Sequence, residues 1–356
     1  MTGTQPPAPR MMLAERFHAD GRRVEVEEVP IPEPGPGQVR IKVAYCGICH
    51  SDLSLIHGAF PDNVPVVTQG HEASGTIDAV GPGVTGWEVG DRVIPSAGRP
   101  CLKCRRCQRG DFTACLNLRL MAFAYDGGWA QYTVANVMGM TRVPDEVDLK
   151  QAALLADAVS TPFGAVVRTG KVHPGNAVGV WGLGGVGTHV VQLSKLAGAV
   201  PIIGVDLNED CLERAERLGA DHVFRADDPN LLDSVAAATG GRMIDVAFDA
   251  VGIPSTLKQA VASLDNHGCV VTIGISAQEM NLGTFVEFNL KNKRVLGHLG
   301  YKTQDIAMLT EMLRYGRLDL TESVSEVVPL RDIRTGIEHL EKKVGNPIRI
   351  LVDPWA

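Results

Sequence analysis

The stretch Ala177–Ala199, AVGVWGLGGVGTHVVQLSKLAGA, joins an apolar strand to an apolar helix through a glycine-rich turn. We predict the strand at residues 178–181 and a helix after the glycines, with Val191 and Leu193 available to pack on a sheet. A G-x-G-x-x-G pattern is weak evidence alone, but between a strand and a helix it is typical of a dinucleotide-binding turn. The residues of that turn are Gly182, Leu183, Gly184, Gly185, Val186 and Gly187.

Each glycine of the G-x-G-x-x-G pattern has a physical reason. Gly182 makes the tight turn, Gly184 lets the backbone approach a pyrophosphate, and Gly187 lets the helix pack closely on the strand. The free N–H groups at the helix N-terminus would bind the phosphates. The pattern therefore predicts a dinucleotide site.

The next predicted strand, PIIGVD, ends in Asp206. That position is close to the usual spacing of about 20 residues after such a turn, where a carboxylate accepts hydrogen bonds from the adenosine ribose. A carboxylate there would also repel a 2′-phosphate, and no arginine follows immediately to reverse this preference. We therefore predict that the cofactor is NAD rather than NADP.

Strand and helix patterns continue to alternate beyond Asp206. The segments NEDCLERAERLGA and TLKQAVASL read as helices, and MIDVAFDAVG and CVVTIGI contain strands. This alternation predicts an α/β fold in which residues 159–301 form a doubly wound, Rossmann-type cofactor domain. Residues 1–158 are rich in Gly, Pro and Val, with the short strands and turns of a mostly β domain.

Composition excludes several classes of function. The chain has 356 residues and a net charge of −7 without a long basic run, which argues against nucleic acid as a partner. No stretch approaches the roughly 18 to 20 apolar residues of a membrane span, so we expect no membrane partner. The first ten residues, MTGTQPPAPR, lack the apolar core of a signal peptide and read as a disordered lead. We therefore expect a cytoplasmic protein.

Four of the eight cysteines lie within fifteen residues, as C-x2-C-x2-C-x7-C. Gaps of two residues let thiolates converge on one ion, and the wider last gap lets the loop close a tetrahedron. This spacing favours a closed structural zinc site. An iron–sulfur cluster and two disulfides remain alternatives. The four cysteines are Cys101, Cys104, Cys107 and Cys115.

Other potential metal ligands lie in three separate segments. These are CGICHSDL (Cys46–Leu53), GHEASG (Gly70–Gly75) and LLADAVST, which contains Asp157. Cysteine, histidine and carboxylate are the ligand types of a catalytic zinc that keeps one position for a substrate. By itself, Asp157 could instead cap a helix that begins near Ser160.

With these motifs together, the chain resembles the zinc-dependent medium-chain alcohol dehydrogenases over nearly its whole length. The resemblance implies that residues 1–158 form a GroES-like catalytic domain and that residues 302–356 return to it. It also implies two zinc ions per chain, with NAD as the second cofactor. The segment between Cys115 and Gly127 is short, as in tetrameric members, so we expect a homotetramer or a homodimer.

The resemblance implies roles for the residues of the predicted catalytic zinc. Cys49, which precedes His50, matches the family's cysteine ligand, and His71 matches its histidine ligand. Glu72 matches a residue that moves onto the metal in some states. Asp157 stands where many members have a third-ligand cysteine, and secondary-alcohol members show the same aspartate. Cys46 is then a small buried residue.

Other predicted roles surround this zinc. Asp52 would accept the free ring N–H of His71 and so orient it. Ser51 would take the alcohol proton, but Ser54 stands where many members have the histidine that ends the proton relay, which leaves the exit route open. By resemblance, the remaining cofactor contacts are His50 and Arg349 at the pyrophosphate and Thr161 beside the nicotinamide.

The expected reaction is reversible hydride transfer from a primary or secondary alcohol to NAD, giving an aldehyde or a ketone. Ala97 stands where members often have an aromatic residue, which suggests room for a bulky or cyclic alcohol; Trp129 could line the same pocket or simply pack. The alternatives are a polyol or amino-alcohol dehydrogenase and, more distantly, a non-enzymatic NAD sensor. A zinc-free quinone reductase would lack Cys49 and the four-cysteine lobe.

Overall fold

The computed structural model describes residues 9–280 and 282–356, so most of the predicted N-terminal lead lies outside the described residues. The chain divides into two compact units. The first contains the described residues up to Ala156, together with Ile306–Val344 and Arg349–Ala356. The second contains Asp157–Asp305 and Gly345–Ile348. The predicted divisions, after residues 158 and 301, did not include the short return of residues 345–348 to the second unit.

Strands and helices of both units are numbered here in chain order. The strands are β1 (Met11–His18), β2 (Arg23–Pro30), β3 (Gln38–Ile48), β4 (Val66–Val67), β5 (Glu72–Val80), β6 (Arg92–Pro95), β7 (Gly98–Arg99), β8 (Arg119–Leu120), β9 (Tyr132–Asn136), β10 (Met140–Arg142), β11 (Val178–Trp181), β12 (Ile202–Asp206), β13 (His222–Arg225), β14 (Ile244–Asp249), β15 (Leu264–Thr272), β16 (Arg294–Gly297), β17 (Val324–Pro329) and β18 (Arg349–Asp353). The helices are α1 (His50–Ile56), α2 (Leu149–Leu154), α3 (Ser160–Gly164), α4 (Gly185–Leu196), α5 (Glu209–Leu218), α6 (Leu231–Ala238), α7 (Pro254–Ala262), α8 (Phe285–Leu290), α9 (Thr303–Arg314) and α10 (Ile333–Glu341).

The first unit is mostly β, as predicted. Its largest sheet has the order β10-β6-β5-β3-β18-β17, with β9 also paired to β3. The long strand β3 pairs with β5, where Gly47 lies opposite Glu72, and with β18, where Ile48 lies opposite Ile350. These two pairings bring the end of β3, the start of β5 and the start of β18 together. These three strand ends form one edge of the sheet.

The core of the first unit lies under that edge. Cys46, Ile48 and Ile350 are fully buried there with Trp129, whose indole N–H donates to the Gly47 carbonyl oxygen. Trp129 therefore packs in the core, one of the two roles that the sequence left open for it. Cys46 is a buried core residue, as expected.

The second unit confirms the Rossmann-type prediction. Its six parallel strands have the order β13-β12-β11-β14-β15-β16. The glycine-rich stretch supplies the central strand β11 and the helix α4, and this order reverses direction at β11, which is where such folds bind dinucleotides. Trp181, Ile203 and Val270 are among the buried residues of its core. Among the described residues, no helix is long and apolar enough to cross a membrane.

Candidate active site and metal centres

The four clustered cysteines of the first unit converge on one point. Their sulfur atoms all lie within 4.8 Å of one another, and Cys104 Sγ lies 3.6 Å from that of Cys107 and 3.9 Å from that of Cys115. A disulfide holds its sulfurs about 2.05 Å apart, so these sulfurs are not bonded to one another. Four sulfurs at about 2.3 Å from one zinc ion would be about 3.8 Å apart, which is the spacing found here.

Backbone N–H groups surround these sulfurs. The amide N–H groups of Cys101 and Asn117 donate to Cys115 Sγ, at 3.2 and 3.4 Å. Amide groups of Cys107 and Leu116 lower the pKa of the Cys104 thiol to about 6. These amides stabilise the Cys104 thiolate, whereas desolvation and the neighbouring sulfurs of Cys104 and Cys115 raise the pKa of the Cys107 thiol to about 12. Since four sulfurs this close leave no room for several iron and sulfide atoms, the donor set fits one closed zinc ion.

A second donor cluster lies at the edge where β3, β5 and β18 meet. The ligand atoms of Cys49, His71 and Glu72 lie within 4.8 Å of one another, and all three residues are buried. Cys49 directly follows β3 and is the N-cap residue of α1, while His71 directly precedes β5. Sulfur, imidazole nitrogen and carboxylate form a donor set that suits zinc.

Asp52, in the first turn of α1, holds two members of this cluster. It is fully buried, with Oδ1 3.2 Å from His71 Nδ1 and Oδ2 accepting the Cys49 backbone N–H at 2.9 Å. Because the carboxylate accepts the proton on Nδ1, the Nε2 lone pair is left for a metal. Ser51 Oγ lies 3.3 Å from that Nε2. The Asp52–His71 contact is the one that the sequence led us to expect.

Glu72 and Arg349 form a buried ion pair that the sequence did not indicate. Arg349 Nε lies 3.2 Å from Glu72 Oε2, and Arg349 Nη1 donates to the Ile48 carbonyl oxygen at 2.8 Å. The Arg349 side chain is 2% exposed and the Glu72 side chain is 0% exposed. This pairing offsets the charge of Glu72 beside the predicted metal. The pyrophosphate role of Arg349 stays a prediction.

His50 reaches solvent, yet desolvation and the positive charges of Arg349 and Lys343 lower the pKa of its imidazole to about 4. His50 is therefore neutral at physiological pH in the free protein. A neutral imidazole still donates one hydrogen bond, and a bound anion would raise its pKa. A pyrophosphate contact through His50 is compatible with this state and stays a prediction.

A buried glutamate that the sequence reading missed supports the segment before His71. Glu15 Oε2, in β1, accepts the Gln69 backbone N–H at 2.7 Å, and Gln69 Nε2 donates to the Asp52 carbonyl oxygen at 3.1 Å. Burial raises the pKa of the Glu15 carboxyl well above its usual range. No local motif marks this residue, because its partner lies 54 positions along the chain.

Asp157 is the first residue of the second unit and follows Ala156, the last residue of that stretch of the first. Its Oδ1 accepts a hydrogen bond from the Thr161 hydroxyl at 2.5 Å. The N-cap of α3 is Val159, without a side-chain cap. Asp157 therefore lies two residues before the N-cap of α3, and its side chain contacts the first turn of that helix through Thr161.

The glycine-rich turn has the geometry that its pattern predicts. Gly182 has a φ of +87°, and a Cβ on Gly187 would lie 1.7 Å from the Gly182 carbonyl oxygen, so neither position admits a side chain. A Cβ on Gly184, in contrast, would meet no atom within 4 Å. The space beside Gly184 and the N-terminus of α4 is open to a phosphate.

Asp206, at the end of β12, lies against this turn. Its Oδ2 accepts the Leu183 N–H at 2.7 Å, and its Oδ1 accepts the N–H groups of Leu207 and Asn208 at 2.7 and 3.0 Å. Oδ2, which accepts one hydrogen bond, has a further lone pair for a ribose hydroxyl. The turn, the open space at Gly184 and this carboxylate fit NAD, and the two donor clusters fit zinc.

Comparison with known proteins gives the family. Residues 35–145 match the alcohol dehydrogenase GroES-like domain, and residues 185–314 match the zinc-binding dehydrogenase family. The chain is 31% identical to an alcohol dehydrogenase of Geobacillus stearothermophilus, over 93% of this chain and 96% of that protein. It is 29% identical to a sorbitol dehydrogenase of Bacillus subtilis, over 97% and 98% of the two chains.

Solved structures agree with this result. The acetophenone reductase of Geotrichum candidum, in complex with NAD, superposes with a TM-score of 0.86 at 28% identity, covering 98% of this chain and 99% of that one. The family description and the two donor clusters indicate zinc as one cofactor. The Rossmann-type sheet and the NAD-bound relative indicate NAD as the other. The chain belongs to the zinc-dependent medium-chain dehydrogenases, and it is an oxidoreductase of the kind that acts on alcohols or polyols.

Proposed function

We propose that this protein catalyses reversible, NAD-linked oxidation of a primary or secondary alcohol to an aldehyde or a ketone. The observation that supports this most is the buried cluster of Cys49, His71 and Glu72, with its orienting carboxylate Asp52 and the hydroxyl of Ser51 beside it. Those residues supply metal donors together with a group that can accept a proton. An NAD sensor without activity would not need this set.

Asp157 is proposed as the third protein ligand, with Glu72 as a ligand in some states. Cysteine and histidine from the first unit need a further donor, and Asp157 follows immediately on that unit in the chain. Its carboxylate accepts from Thr161, which leaves further lone pairs on the same group. An aspartate donates less charge than a cysteine thiolate and would leave the zinc a stronger Lewis acid.

When bound, zinc supplies the Lewis acidity that makes the alcohol acidic, and NAD accepts the hydride. Ser51 Oγ accepts the alcohol proton as its own hydroxyl proton passes to the next acceptor, so the hydroxyl stays neutral. Ser54, at the usual place of the relay histidine, donates its hydroxyl to the His50 carbonyl oxygen at 3.0 Å. The Ser54 hydroxyl proton is therefore used in this bond to the backbone. We propose that a water molecule takes the proton onward from Ser51.

A preference for NAD over NADP follows from charge around Asp206. The nearest cation in register, Arg225 of β13, pairs with Glu209 at 2.6 Å and Asp227 at 2.8 Å. Its charge is thus already neutralised by two carboxylates. A 2′-phosphate would meet the Asp206 carboxylate while this neighbouring cation is already paired, which opposes its binding.

Two substrate classes are candidates. The small Ala97 favours a bulky or cyclic alcohol. The similarity to a sorbitol dehydrogenase instead supports a polyol or amino alcohol on the same scaffold. A rate comparison between cyclic alcohols and polyols of similar size separates the two.

We further propose a cytoplasmic homo-oligomer, either a homotetramer or a homodimer. The outer strand β16 ends one side of the six-stranded sheet, and apolar side chains near it are exposed. Phe285 is 87% exposed, and Leu290 and Leu299 are exposed as well. Sedimentation analysis of the purified protein distinguishes the monomer, dimer and tetramer.

The activity itself is tested by NADH formation. Zinc-loaded protein is assayed with NAD and with NADP across primary, secondary, cyclic and aromatic alcohols and polyols. We expect turnover of at least one class and a clear preference for NAD. A preference for NADP would overturn the cofactor assignment, and no turnover despite bound zinc and NAD would favour the sensor.

A further inference from the structure

His298, directly after β16, contacts two threonines in the second unit. Its Nε2 lies 3.0 Å from the Thr161 carbonyl oxygen, and its Nδ1 lies 2.8 Å from Thr169 Oγ1. The two threonines belong to one continuous helical segment, α3 followed by a π-helical turn at Ala165–Thr169. His298 therefore bridges the beginning and the end of that segment.

The contact with Thr161 decides which ring nitrogen carries the proton, and the Gly300 backbone also hydrogen-bonds with the ring. A carbonyl oxygen can only accept, so Nε2 must carry a proton and donate to Thr161. In the neutral ring Nδ1 is then an acceptor, and the Thr169 hydroxyl donates to it. Desolvation lowers the pKa of this imidazole, which keeps it neutral. The Thr161 oxygen also accepts the Ala165 N–H, so the imidazole uses its second lone pair.

The ring is held tightly in this position. A Cβ on Gly164 would lie 3.0 Å from His298 Cε1 and 2.5 Å from Arg168 Nη2, so α3 packs directly on both side chains. Arg168 in turn pairs with Asp305, which is buried and also accepts the Lys302 N–H at 2.7 Å. His298 is therefore in direct contact with α3.

The first turn of α3 links His298 to the proposed reaction centre. Thr161 accepts from His298 through its backbone and donates from its side chain to Asp157. A change at His298 therefore reaches both the Thr161 hydroxyl and the Asp157 carboxylate. π-helical turns, such as the one that ends at Thr169, are often found at functional sites.

We propose that His298 is a positioning residue, which through the Nε2–H bond to Thr161 places the Thr161 hydroxyl for the nicotinamide and the Asp157 carboxylate for the zinc. This inference rests on the proposed function, in which those two residues have these roles. It predicts that the bond to Thr161 matters more than the bond from Thr169.

Two substitutions separate the bonds. In His298→Gln, the amide nitrogen can stand near Nε2 and keep the bond to Thr161, whereas in His298→Asn the side-chain oxygen can stand near Nδ1 and keep only the bond from Thr169. We expect His298→Asn and His298→Ala to lower kcat/KM for NAD about 10- to 100-fold, as the loss of a supporting partner usually does. His298→Gln should remain within about threefold of the wild type. His173→Ala, at an exposed histidine of the same unit, is the control.

A merely structural role gives a different result. The Gln and Asn variants would then lose thermal stability and kcat/KM equally, without rescue by Gln, and this outcome would overturn the proposal. The proposal would also be overturned if the Gln, Asn and Ala variants all had the kinetics of the wild-type protein. In that case turnover by the wild-type protein would still support the proposed function.

Nitrogen-15 NMR of the labelled histidines provides a readout that does not depend on turnover. The proposal requires the Nε2–H tautomer for His298 in the wild-type protein, assigned by loss of the signal in His298→Gln. An Nδ1–H tautomer would contradict it. If the wild-type protein oxidises no alcohol, the proposed function fails. The role of His298 is then still decided by two other measurements, its tautomer and the affinities of the Gln and Asn variants for NADH.

Discussion

The two donor clusters of the first unit differ in how they are built. The four cysteines come from one loop of fifteen residues, and the hydrogen-bond donors to their sulfurs include the backbone N–H groups of Cys101 and Asn117 and the side-chain amide of Asn117. Cys49 comes from one segment and the adjacent residues His71 and Glu72 from another, and they are held by the buried side chains of Asp52 and Arg349. The first cluster is a local structure, and the second depends on the pairing of β3 with β5 and β18.

This difference has a chemical consequence. Four thiolates saturate a tetrahedral ion and leave no position for a substrate, so we predict that the loop stabilises the fold and does no chemistry. The second cluster has fewer strong donors and a hydroxyl, Ser51, beside His71 Nε2. Buried side chains tune it, as is usual for metal sites that do chemistry. The comparison predicts that damage to one cluster reduces stability and damage to the other reduces activity.

The largest expected effect is on activity, in Cys49→Ala. Losing the zinc removes several kcal/mol of transition-state stabilisation, which corresponds to a loss in kcat of at least about 10³-fold. Metal analysis should find one zinc per chain, with an almost unchanged thermal midpoint. Cys46→Ala, at the buried cysteine three positions earlier, is the matched control and should keep two zinc ions and most of the activity. Loss of the same activity in both variants would contradict the assignment.

Next in size is Cys104→Ala, which should show the opposite pattern. A structural zinc contributes directly to folding, so we expect the thermal midpoint to fall by about 10 °C or more. Freshly purified protein should retain the zinc at Cys49 and measurable turnover per folded molecule. Cys269→Ala, a buried cysteine of the second unit, controls for the loss of a thiol. An unchanged midpoint would show that the loop needs no metal.

Asp52→Asn should have an intermediate effect on the second cluster alone. The amide cannot accept from both the Cys49 N–H and the His71 ring as the carboxylate does, so His71 loses its orientation. Zinc affinity or kcat should fall about 10- to 100-fold. The ratio of zinc to protein after dialysis against a weak chelator measures the first quantity, and the wild type is the reference. Unchanged zinc affinity and turnover would separate Asp52 from the metal site.

The sequence predicts the local cluster more directly than the dispersed one. The spacing of Cys101 to Cys115 indicates a metal without reference to any relative, and the glycine-rich turn with its flanking strand and helix indicates the cofactor domain. The second cluster was assigned only by resemblance, because Cys49 and His71 are brought together by strand pairing. The pairing of Glu72 with Arg349 spans most of the chain, and no local pattern could have shown it.

The smallest expected effect is on the support behind His71. Folding raises the pKa of Glu15, so the stability that this residue contributes is fully present below its ordinary pKa and is lost as pH rises through the raised value. Glu15→Gln keeps an acceptor for the Gln69 N–H and removes the charge. Compared with the wild type, the variant should therefore become progressively more stable as the pH rises above the ordinary pKa of a glutamate. Parallel curves of thermal midpoint against pH for both proteins would contradict a buried, protonated Glu15.

Stepwise removal of zinc from the wild-type protein tests the difference between the clusters most directly. Protein with two zinc ions is titrated with a chelator while zinc content, NADH formation and thermal midpoint are followed on the same samples. We predict that activity is lost with the first zinc, that the midpoint falls only with the second, and that added zinc restores activity to the one-zinc form. Activity that survives in the one-zinc form, or a midpoint that falls together with activity, would contradict the separation of a catalytic from a structural zinc.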